Sequence, residues 1–196
     1  MIRAAAQITH DNVVTVYEAD ERDGHRVGGG IRAVRRARLG RGEPFARLGR
    51  RERVGVSTDA EAHYGPVVTQ AHKDKVEGWI QKCADEGAEL VIDGRGFTLQ
   101  GHEKGFFVGP TLFDHVTTDM TSYKEEIFGP VLQMVRAKNF EEALALPSKH
   151  QYGNGVAIFT RNGHAAREFA ARVNVGMVGI NVPIPVPVAY HSFGGW

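Results

Sequence analysis

The 196-residue chain has a single cysteine, Cys83, so no internal disulfide can form, and such usage fits a reducing compartment. No apolar run reaches the roughly 18 residues of a membrane-spanning helix. His10 and Asp11 interrupt the N-terminal stretch before a signal sequence could develop its apolar centre, and Glu18, Asp20, Glu21 and Asp23 are too acidic for a transit peptide. A net charge of +1 gives no overall reason to expect a membrane or nucleic acid as partner. His-Glu-x-x-His and similar ligand spacings are missing, so no metal site is predicted. Neither a Gly-x-Ser-x-Gly turn nor a Ser-His-Asp arrangement is present. These absences lead us to expect a soluble, cytoplasmic protein.

Lysine is also missing from a long stretch. From Glu21 to Arg53 there are eleven arginines, four acids and no lysine, and all seven lysines lie from Lys73 onward. Gly28-Gly29-Gly30 and Pro44 fall in the same stretch, with no sustained helical or strand period. Three readings stand: a solvated tail, a basic arm for phosphate of a nucleic acid, or a coding stretch read out of frame. The triple glycine lacks the spacing and the preceding strand of a dinucleotide fingerprint. Residues 1–52 are therefore set apart as an irregular Arg/Gly-rich segment, and residues 53–196 as the folded unit.

In that second unit helix and strand patterns alternate. Thr69 is placed to cap a helix carrying Val76, Trp79, Ile80 and Cys83 at helical spacing, with Gly87 as its stop. Ala88 to Ile92 predicts a short strand closed by the turn signal Asp93-Gly94. Gly105 to Phe113 predicts extended chain broken by Gly109-Pro110. Val131 to Val135, with almost no alternation, predicts a strand covered on both faces. Asn139 is placed to cap a helix from Phe140 to Leu146, ended by Pro147. Val156 to Phe159 predicts a buried strand. Asn162 then caps a helix with Ala166, Phe169, Ala170 and Val173 on one face, and Met177 to Ile180 forms the last strand. The order implies an α/β fold with an open, mainly parallel sheet and flanking helices, ligands sitting at the carboxyl ends of strands.

The candidate site lies in Tyr123-Lys124-Glu125-Glu126-Ile127-Phe128-Gly129-Pro130-Val131. If this stretch is extended, Glu126 and Phe128 face one way while Ile127 enters the core. A carboxylate offers two acceptor oxygens to the hydroxyl donors of a ribose, and a phenyl ring offers a wall to a flat heterocycle. A solvated strand end with a core phenylalanine is the competing reading. Cys83, on a helix face with Trp79 and Ile80, is expected to be a packing residue. His191 beside Phe193 is a candidate pocket residue or a structural histidine, and Pro183, Pro185 and Pro187 would stiffen an extended wall.

The same stretch resembles a motif of the aldehyde dehydrogenase superfamily. Tyr64-Gly65-Pro66-Val67-Val68, Gly105-Phe106-Phe107-Val108-Gly109-Pro110-Thr111-Leu112 and Tyr152-Gly153-Asn154-Gly155-Val156-Ala157-Ile158-Phe159-Thr160 follow in the order of that superfamily. Within it, Gly179 to Pro187 and Ala189 to Trp196 are similar to the CoA-acylating methylmalonate-semialdehyde dehydrogenases. The resemblance runs from about residue 53 to Trp196, part of a catalytic domain. It implies NAD as cofactor, with Glu126 on the nicotinamide ribose and Phe128 beside the nicotinamide. It also implies a small semialdehyde substrate, malonate or methylmalonate semialdehyde, CoA as acyl acceptor, and a cytoplasmic or mitochondrial-matrix setting.

The implied chemistry needs a cysteine thiolate to attack the aldehyde, and no Gly-Gln-Arg-Cys-like run is present. The expectation is therefore an oxidoreductase fragment, without a nucleotide-binding Rossmann domain and inactive alone. The open alternatives are a non-catalytic piece, homo-oligomeric or docked on an intact relative, and an arginine-rich nucleic-acid arm.

Overall fold

The computed structural model describes residues 52–182 together with the two-residue strand β1, Glu18–Ala19. The rest of the arginine-rich segment lies outside the described residues, as do Pro183, Pro185, Pro187, His191 and Phe193. The described elements run α1 (Gln70–Asp85), β2 (Glu89–Ile92), β3 (Thr111–Val116), α2 (Thr121–Lys124), β4 (Val131–Val135), α3 (Phe140–Lys149), β5 (Gly155–Thr160), α4 (Gly163–Arg172) and β6 (Met177–Ile180). They form two three-stranded sheets, ordered β1-β5-β6 and β2-β3-β4. Every pairing is parallel except β2 with β3. That antiparallel pair has no helix in its connection, so the chain can reverse without a crossover.

The starts of α1, α3 and α4 are set by short polar side chains. Thr69 accepts from the His72 amide at 3.1 Å, Asn139 from Glu142 at 2.9 Å, and Asn162 from His164 and Ala165. Each satisfies donors that the first helical turn leaves unpaired. Gly87, at φ 96°, takes the left-handed conformation that ends α1.

Three expectations need correction. Pro147 does not end its helix but lies inside α3, which runs on to Lys149. Proline removes one donor to the Ala143 carbonyl, yet its buried ring packs and Ser148 Oγ donates to the Leu144 carbonyl at 3.0 Å. On α4 the buried face is Ala165 and Phe169; Ala166 is half-buried and Ala170 exposed. Strand β4 is not covered on both faces: only Val131 is buried, because β4 is an outer strand of its sheet.

Two apolar clusters hold the described unit. In the larger, α1 delivers Val76, Ile80 and Cys83, all fully buried, against Phe113 and Val116 of β3 and Val131 of β4. Burying one such aliphatic side chain is worth about 1.5–3 kcal/mol. The smaller gathers Leu144, Val156, Ile158 and Phe169 from α3, β5 and α4. Asp114 is a buried charge on β3, and two guanidinium nitrogens of Arg136 hold it. Burial pushes its carboxyl up, but Arg136 and the His115 amide outweigh that and hold it below the usual range. At Gly94 the chain passes so close to Gly109 that a β-carbon would stand 1.9 Å from its carbonyl oxygen.

Glu86, just after α1, ties the larger cluster to α2: its carboxylate accepts from the Thr121 amide at 2.8 Å, the Ser122 amide at 3.1 Å and Ser122 Oγ at 2.8 Å. Desolvation raises its pKa, and these hydrogen bonds more than reverse the effect, bringing it from 4.5 down to about 2. A depressed carboxylate stabilises the fold fully above its unfolded pKa and less as pH falls toward the folded one. Urea unfolding should therefore show the Glu86 contribution intact above pH 4.5 and lost as pH falls toward 2. Glu86→Gln should lower stability at neutral pH by about 1–2 kcal/mol and flatten that acid limb. Gly94→Ala should cost roughly 1–3 kcal/mol in the same assay, since backbone must move to admit the methyl.

Candidate functional site

The site is built outward from α1. After α2 the chain enters the loop Glu125–Pro130, where Glu125 is exposed, Glu126 half-buried and Ile127 buried in the core. Ile127 therefore goes where the sequence pattern puts it. The extended run does not persist through Phe128, whose φ is 57°. A left-handed conformation costs a non-glycine residue roughly 1–2 kcal/mol. The turn leaves the Phe128 side chain 45% exposed, one of the few large apolar residues so placed among the described residues.

Neighbours fix this turn from both sides. His72 Nε2 lies 2.8 Å from the Phe128 carbonyl oxygen, and the two rings stand 6.3 Å apart at a tilt of 47°. Gly129 lies directly on α1: a β-carbon there would come within 2.7 Å of both Val76 methyl groups. The Pro130 carbonyl then accepts from the Thr111 amide at 2.9 Å, which hands the chain into β4 beside β3. On the far side of α2, His150 Nε2 donates to the Tyr123 carbonyl at 2.9 Å and Gln151 to that of Lys124 at 2.7 Å.

Cys83 is remote from solvent, at 0% exposure in the larger core. Burial pushes its thiol up, against smaller opposing hydrogen bonds from Ser122 and Gln133. The Gln133 amide reaches its sulfur at 3.7 Å and also donates to the Ser122 carbonyl at 3.1 Å. This is the packing role the helix spacing predicts. Asn181 Oδ1 accepts from the Thr160 amide at 2.9 Å and its amide donates back at 3.0 Å, joining the carboxyl ends of β5 and β6. Among the described residues one set of metal-type donors comes together, Glu89, Asp114 and His115, within 4.8 Å of one another. Arg136 already provides a cation to Asp114 there.

Sequence reasoning did not single out His72, Glu86 or Asn181 for any role. Each bonds backbone far away along the chain, and no local pattern marks such a partner.

Residues 44–196 match the model of the aldehyde dehydrogenase family. The chain is 58% identical over 144 residues to malonate-semialdehyde dehydrogenase of Pseudomonas aeruginosa, covering 74% of this chain and 29% of that one. A Sinorhizobium meliloti 1021 structure, named as a methylmalonate-semialdehyde dehydrogenase and complexed with NAD, superposes with TM-score 0.75 at 58% identity. It covers 79% of this chain and 31% of that one. A methylmalonate-semialdehyde dehydrogenase structure from Oceanimonas doudoroffii gives TM-score 0.75 at 55% identity, over 79% of this chain and 32% of that one. The chain thus spans less than a third of these relatives' lengths. With the family model matched over most of its residues, this chain belongs to the aldehyde dehydrogenase family.

Proposed function

We propose that this chain carries the nicotinamide-ribose contacts of an NAD-dependent, CoA-acylating semialdehyde dehydrogenase, and that the polypeptide of these 196 residues has no turnover of its own. The reading is carried by the loop at Glu126–Phe128, where a half-buried carboxylate and an exposed ring share one short turn. The identity to malonate-semialdehyde dehydrogenase supports malonate or methylmalonate semialdehyde as the substrate class, with CoA as acyl acceptor.

The chemistry of the two residues supports this reading. Glu126 offers two acceptor oxygens, enough for the two hydroxyls of a ribose. The exposed ring of Phe128 offers an apolar face to a flat heterocycle, and Gly129 adds no side chain beside it. When bound, NAD supplies a nicotinamide that accepts hydride from the substrate. The role of Glu126 and Phe128 is to bind and orient that end of the coenzyme.

Attack on an aldehyde needs a thiolate in the open. The one thiol of this chain, Cys83, is enclosed in the core with its pKa raised, so neither reach nor ionisation suits it. A single carboxylate-and-ring contact is also a weak hold on a dinucleotide, because association costs must be met first.

A second reading draws on Val68, Ile180 and Val182, exposed at 82%, 44% and 50%. Docking on an intact dehydrogenase subunit or on a second copy of this chain would cover such residues. Co-purification of tagged chain with a full-length relative supports docking; a lone chain in the presence of that relative removes it.

Purified polypeptide given semialdehyde, NAD and CoA should form no reduced coenzyme above the protein-free rate. Steady CoA-dependent turnover would overturn the inactive reading. Calorimetry with NAD should give weak or undetectable heat, and a dissociation constant on the order of micromolar would contradict a single-contact hold.

A further inference from the structure

We infer that His72 is a positioning residue, whose Nε2–H holds the Phe128 carbonyl and so sets where the Phe128 ring stands. A carbonyl oxygen only accepts, so at 2.8 Å the proton of this hydrogen bond must sit on His72 Nε2. An aromatic residue at φ 57° stays in the left-handed region only where its surroundings impose it. Fixing the carbonyl fixes the plane of the Phe128–Gly129 peptide, and with it the turn that brings the ring to the surface.

His72 is well placed for this task. It occupies the first turn of α1, where its own amide is anchored to Thr69 Oγ1 at 3.1 Å. Val76, four residues on and therefore on the same helix face, fills the space against Gly129. One face of one helix thus grips both sides of the Phe128–Gly129 peptide: a hydrogen bond to the oxygen and an apolar contact at the next α-carbon. Glu86 restrains the start of the loop independently, through α2. The functional weight of the tie rests on the proposed coenzyme reading, whereas the tie itself does not.

Nuclear magnetic resonance on the full chain tests it without any ligand. A positive φ gives Phe128 a strong cross-peak between its own amide and α-proton. His72→Leu should weaken that cross-peak several-fold, while His72→Gln, which keeps an N–H donor of similar reach, should restore it. An unchanged cross-peak in His72→Leu, or equal loss in both variants, overturns the inference. Signals of Val76 and Ile80 report whether each variant keeps its core. The unsubstituted chain gives a second reading: the His72 nitrogen spectrum should show Nε2 protonated, and a proton confined to Nδ1 overturns the tie. Because coenzyme affinity plays no part in these measurements, failure of the tie leaves the coenzyme reading standing, and the reverse holds equally.

Discussion

Packing of α1 against the sheet β2-β3-β4 is the constraint on which the described structure depends. Val76, Ile80 and Cys83 lie one helical turn apart and are fully buried. Facing them are Phe113 and Val131, from the two strands that bracket the candidate loop. Where α1 sits decides where Gly129 can pass, because Val76 leaves no room for a side chain there. Its ends then reach out with polar groups, His72 to the Phe128 carbonyl and Glu86 to the start of α2. A surface loop is thereby given the definition of a core element, which a contact with a small ligand requires.

The same packing separates two chemical roles within the chain. Glu126 and Phe128 stand on the surface loop, the first half-buried and the second exposed. The Cys83 thiol is drawn inward, between helix and sheet, where ionisation is disfavoured. Membership of the aldehyde dehydrogenase family explains the pattern of motifs, and the chain spans 29% of the length of the malonate-semialdehyde dehydrogenase it matches.

What was legible in the sequence follows the range of the interactions. Thr69, Asn139 and Asn162 cap helices through bonds to residues two or three positions away, so the local sequence contains both partners. Burial of Ile127 and Cys83 followed from period and spacing. Pro147 misled because its penalty, about 3 kcal/mol, is read locally, while packing of α3 against its cluster is not visible along the chain. The apolar run Val131–Val135 suggested burial on both faces, but hydrophobicity cannot say whether a strand lies inside a sheet or at its rim. The turn at Phe128 depends on His72, 56 positions earlier, and no periodicity encodes such a pair.

The most direct test of the account is saturation transfer from the purified chain to nicotinamide riboside, which carries only the ribose and ring that Glu126 and Phe128 would meet. Transfer to the ribose and nicotinamide protons is predicted, and Glu126→Ala should abolish the ribose signal while leaving the fold intact. Absence of any transfer, or equal transfer in the Glu126→Ala chain, would contradict it.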